Sequence, residues 1–182
     1  SMLRLQSSLL DQPVVRARLL TSIGTSALNV GMLREARSMI TEAISIYQDR
    51  GLQDDLVAVN AYLALARIEA EQRNIEVAQN WFGKSKAVLA AHAADQSNLW
   101  TDVIVYQAWM FLSSKISECA KDQLPQLQHA VQLKSKLLGN ENSQTVLAKT
   151  VLAMTHVLVL RDATAAVAEL DLLLLEIQDA SI

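Results

Sequence analysis

Between Ala27 and Tyr47 the chain reads ALNVGMLREARSMITEAISIY, and its apolar and small residues return every three or four positions. That period puts Leu33, Ala36, Ile40 and Ala43 on one face of a helix. The same rhythm predicts helices over 12–28, 32–49, 54–72 and 75–92. Asp11 is the expected first cap, with Pro13 in a first turn where its missing N–H costs little. Tight turns fall near Asn29–Gly31 and Arg73–Asn74, and Gly51 is placed to stop the second helix. Residues 93–98 read as a loop, with Ser97 capping a fifth helix that runs through Trp100 and Trp109 to about Ser114.

Further along, the pattern supports two readings of the sixth helix. A 42-residue spacing from Ala78 puts Ala120 inside it, with Pro125 in its interior. Starting the helix near Gln123, with Asp122 as cap, makes Leu127 and Ala130 the large–small pair instead. Gly139 ends either version after Leu138. Asn142 or Ser143 opens a seventh helix to about Leu160, Arg161–Asp162 breaks the chain, and an eighth runs to about Gln178. The expected fold is all-α, with about eight helices in four antiparallel hairpins joined by short turns.

The first two hairpins share an order of side-chain sizes. Gly24, Leu33, Ala36, Ile40 and Ala43 in the first correspond to Ala66, Ile75, Ala78, Phe82 and Ser85 in the second, and Ala36 and Ala78 lie 42 residues apart. Small residues let helices approach closely, and the large residue between them fills the contact. This order resembles the tetratricopeptide repeat family, especially its long-helix variety in bacterial regulatory proteins. The resemblance is clearest over 12–50 and 54–92, and degenerate repeats are expected over 98–138 and 143–179, where Ala166 and Ala168 offer competing registers. It implies a right-handed α-solenoid. A single hairpin cannot cover its apolar face, so stacked hairpins form one continuous core and leave a concave surface.

Composition narrows the function. Apolar residues make up 51% of the 182, which suits a packed chain rather than a disordered one. Five glycines, two prolines and 4% aromatics favour helix over sheet. A net charge of −3 with no basic block gives no support for nucleic acid binding. The single Cys119 forms no internal disulfide and fits a reducing compartment. The opening SMLRLQSSLL lacks the pattern of an export signal, and LDLLLLEI (170–177) is too short to span a membrane. A cytoplasmic location is the expectation.

The resemblance implies that exposed positions of each first helix line the concave face. These match Arg18, Thr21, Thr25, Leu28 and Asn29 in the first repeat, and Asn60, Leu63, Arg67, Ala70 and Glu71 in the second. Arg18, Asn29, Asn60 and Arg67 are the partner-binding candidates, because Arg can grip a carboxylate and Asn a peptide backbone. The lysine-rich set of family members that clamp a peptide carboxyl terminus is missing. Trp100 and Trp109 are candidate interface residues, and Leu172 and Leu173 stand for the apolar run, whose surplus side chains should meet another surface. Trp81, beside Phe82, reads as core.

No catalytic, metal or cofactor constellation assembles. His92, His129 and His156 are scattered, Cys119 has no CxxC partner, and no phosphate-binding glycine loop occurs. Asp54–Asp55 and EAEQ (69–72) read as solvated or capping carboxylates. The expected function is therefore a non-catalytic protein or peptide interaction module, regulatory and part of a larger protein. Small-molecule sensing and homo-oligomerisation are the alternatives.

Overall fold

In the computed structural model, which describes residues 12–160 and the isolated positions 167, 168 and 171, one spacing of buried residues recurs. Helix α1 (Pro13–Asn29) buries Ala17, Thr21, Gly24 and Leu28, and α2 (Leu33–Asp49) buries Ala36, Ile40, Ala43 and Tyr47 at the same intervals. After α3 (Leu56–Glu71), α4 (Ile75–Ala91) repeats them with Ala78, Phe82, Ser85 and Leu89. Steps of four, three and four keep the residues on one helical stripe. Each fully buried Ile40, Phe82 or Leu89 contributes about 1.5–3 kcal/mol relative to exposure.

Adjacent helices pair as hairpins, α1 with α2 and α3 with α4, and α3 also packs against α1 and α2. Contact with three helices explains why α3 buries nearly its whole circumference from Ala58 to Ala66. The first hairpin closes at Gly24. A Cβ there would lie 2.9 Å from Ile40 Cδ1 and 3.2 Å from Met39 Cβ, so glycine is what lets α1 and α2 meet.

The turns after α2 and α3 use one device. After α2, Gly51 takes φ 67°, its N–H reaches the Gln48 carbonyl and the Leu52 N–H reaches Tyr47. These are the paired bonds of a Schellman ending. Arg73 makes the same turn after α3 with φ 64°, at a cost of about 1 kcal/mol for lacking glycine. At the start of α1 the cap position falls to Gln12, whose side chain makes no cap bond. Asp11 lies outside the described residues.

A second compact unit begins at Ala94. It contains α5 (Asn98–Ser113), α6 (Ser117–Leu138) and α7 (Ser143–Thr155), followed by a π-helical turn, His156–Leu160. Among the described residues the chain thus has seven α-helices. Helices α5 and α6 form a hairpin, and α7 packs on both. Ser97 and Asn142 cap α5 and α7 by accepting the Trp100 and Gln144 N–H groups.

The start of a helix near Gln123 is not observed. Helix α6 begins six residues earlier, at Ser117, and carries Pro125 in its interior. The proline removes the bond that the Lys121 carbonyl would have accepted. Both residues are exposed, so water can take that carbonyl. Ala120, Leu127 and Ala130 are all buried on this one helix. The seventh helical segment reaches Leu160 as expected, with its last turn, His156–Leu160, π-helical. The Arg161–Asp162 break, the eighth helix and the LDLLLLEI run fall outside the described residues, apart from the three isolated positions.

Among the described residues, each unit buries one charged side chain. In the first, Arg37 Nη1 donates to Glu69 Oε1 at 2.7 Å and Asn74 Nδ2 donates to Oε2 at 2.8 Å. Glu69 is therefore a buried anion, not the solvated carboxylate its sequence context suggests. The Arg37 hydrogen bond holds its carboxyl below the ordinary range, against the opposing effect of burial. In the second, Lys134 Nζ donates to Asp102 at 2.7 Å, Asn98 at 2.9 Å and Gln144 at 3.2 Å.

Candidate functional site

The described surface is hollowed between α1 and α3. A groove of about 710 Å³ is lined from α1 by Arg18, Thr21, Ser22, Thr25 and Ser26. Asp55, Leu56, Val57 and Asn60 line it from α3 and its cap, with Tyr47 of α2 at the floor. Spacing along α1 creates this wall, because residues four apart stack on one face: Arg18 with Ser22 and Ser26, Thr21 with Thr25.

The hydroxyls are not equivalent. Thr25 donates to the Thr21 carbonyl at 2.8 Å and Ser26 to the Ser22 carbonyl at 3.0 Å. With their protons spent inside the helix, these two offer lone pairs to the groove. Thr21 donates to Ala17 at 2.8 Å and is nearly buried. Burial pushes the Tyr47 hydroxyl above its ordinary pKa, against the smaller opposing effects of its Thr21 hydrogen bond and the Arg18 charge. The floor therefore stays neutral at physiological pH. Asn60 offers both a donor and an acceptor, and Arg18 is the cation of the lining.

Arg18 and Asn60 thus meet in one groove, whereas Asn29 and Arg67 sit outside its lining. Those two are joined on the same pair of helices by an Arg67 Nη2 to Asn29 Oδ1 bond of 2.8 Å. Of the other concave-face positions, Thr21, Leu28 and Leu63 are buried rather than exposed. Sequence reasoning passed over Ser22, Ser26, Tyr47, Asp55, Leu56 and Val57. The doublets Thr21–Ser22 and Thr25–Ser26, four residues apart, were the available signal. Asp55 caps α3 by accepting the Val57 N–H at 2.9 Å.

The tryptophans lie elsewhere. Trp100 is half-buried and meets His129 edge-on at 5.6 Å, while Trp109 is exposed. Trp81 is half-buried rather than core, stacked on Tyr62 at 5.4 Å, with Lys84 Nζ 4.6 Å from the Tyr62 ring. Burial, with a smaller contribution from Asp54, pushes the Tyr62 hydroxyl up to about 12, and it donates to the Gln53 carbonyl at 2.6 Å. Leu172 and Leu173 lie outside the described residues. Among those residues, no group of three or more metal-ligating side chains occurs, and no helix is long and apolar enough to cross a membrane.

Compared with protein-family models, curated proteins and solved structures, the chain matches none.

Proposed function

We propose that the chain is a non-catalytic interaction module of a regulatory kind, a tetratricopeptide-like right-handed solenoid that holds a peptide or protein segment. The observation that carries this reading is the polar groove between α1 and α3. The repeated small–large–small order, buried in α2 and α4, supports the family comparison. Small-molecule sites of similar volume are lined mostly by apolar and aromatic groups. Eight of the ten lining residues carry a hydroxyl, an amide or a charge, which suits the regularly spaced polar groups of a main chain.

The test is selection of peptides from a random display library on the full chain, followed by titration against Arg18→Ala and Asn60→Ala. Loss of a charge-assisted bond at Arg18 should weaken the selected peptides by about 10-fold or more. Loss at Asn60 should cost less. Equal affinity for the unchanged chain and both variants would remove the groove as the binding surface.

A further inference from the structure

The groove contains two opposite charges that do not neutralise each other. Arg18 and Asp55 both line it, yet the ion pairs among the described residues join Arg16 to Glu42, Arg37 to Glu69 and Lys134 to Asp102. Asp55 uses one oxygen to cap α3, and its carboxylate is exposed. A purely acidic occupant would meet repulsion at Asp55, and a purely basic one at Arg18. Such a lining discriminates against single-sign ligands as well as attracting mixed ones. Further along the same α1 wall, Thr25 and Ser26 present lone pairs suited to N–H donors. From Arg18 to Ser26 the wall runs about 12 Å along the α1 axis, room for three to four residues of extended chain.

We propose that the groove takes a short extended peptide segment of mixed charge. An acidic side chain pairs with Arg18, a lysine or arginine pairs with Asp55, and main-chain N–H groups donate to Thr25 and Ser26. This rests on the reading of the groove as the binding surface and adds the chemistry of its occupant.

The probe is a set of N-acetylated, C-amidated hexapeptides of Ala and Ser. It includes peptides with one Glu and one Lys at spacings of one to three residues in both orders, with Glu alone, with Lys alone, and with neither. Binding to the full chain is followed by NMR chemical-shift titration. The best mixed peptide should bind roughly fivefold tighter than either singly charged one. Asn is as good a helix cap as Asp, so Asp55→Asn preserves the α3 cap while removing the charge. This variant should abolish the advantage of Lys and leave that of Glu. Arg18→Glu should reverse the preference at its own position. If the peptides bind with shifts in groove residues but mixed charge gives no advantage, or if Asp55→Asn changes nothing, the charge assignment is overturned and the groove reading stands. If no peptide of any charge binds, both are overturned.

Discussion

Among the described residues, the buried charge of the unit that ends at Ala93 is the Glu69 carboxylate, and its partner Arg37 is about one-third exposed; that of the unit that begins at Ala94 is the Lys134 ammonium, and its partner Asp102 is about one-fifth exposed. The architecture around them differs in the same way. Glu69 and Arg37 connect α3 to α2, one hairpin to the next, and Asn74 grips Glu69 through both its side chain and its backbone N–H. Lys134 instead ties α6 to α5 through Asp102 and Asn98, and to α7 through Gln144. Burying an ion requires partners for its bonding sites wherever the chain can supply them. The first unit has repeat-like stripes and adds one clamp between hairpins. The second replaces part of the apolar stripe of α6 with Gln123 and Lys134 and adds their polar bonds to its apolar core.

The largest test of that contrast is Asp102→Ala, which strands a buried ammonium. It should cost about 3–5 kcal/mol in urea unfolding, and adding Lys134→Met should recover much of the loss by removing the stranded charge. A cost below about 1 kcal/mol would show that Asn98 and Gln144 suffice. Next, Pro125→Ala should stabilise the chain by about 2 kcal/mol, from a helix penalty near 3 less about 1 for the freer unfolded chain. Destabilisation on the same measurement would make the proline a required kink.

Glu69→Gln should cost roughly 2 kcal/mol at neutral pH, similar to the loss of a charged hydrogen bond. Its pH dependence has a definite sign. A carboxyl held low in the folded state adds stability in full above its unfolded value, about 4.3, and loses it as pH falls through the lower folded value. The difference between the native chain and Glu69→Gln should therefore shrink below about pH 4. A gap that stays constant from pH 7 to 3 would contradict the assignment. The smallest effect belongs to Gly24→Ala, a loss of about 1 kcal/mol as crowding against Ile40 outweighs better helix propensity. Ile40→Val removes the crowding Cδ1, so the double variant should be more stable than the sum of the single changes predicts. Additive melting temperatures would disprove the close approach.

Much of this fold was legible because helical period and turn chemistry are local. Gly51, Arg73–Asn74, Ser97 and Asn142 mark turns or caps whose physics involves only neighbouring residues. Gly24 was readable as a close approach from its place in a repeated order. Pro125 misled for the same reason. Its local cost is real, but an exposed carbonyl and a buried stripe of Ala120, Leu127 and Ala130 outweigh it. In the groove, Arg18 and Asn60 were legible from their repeat positions, whereas Asp55 was visible only as a capping acid.

By itself, then, the sequence determined that the chain forms paired helices, where most of them turn, and which small residues let them touch, since each depends on neighbours a few positions away. Tertiary structure alone decided that Glu69 and Lys134 are buried and paired, that Asn29 and Arg67 bond each other, and that Arg18 and Asp55 share a groove without pairing. The physical reason is that burial and ion pairing depend on residues 32 to 38 positions apart along the chain, whose meeting only the packing of helices can arrange.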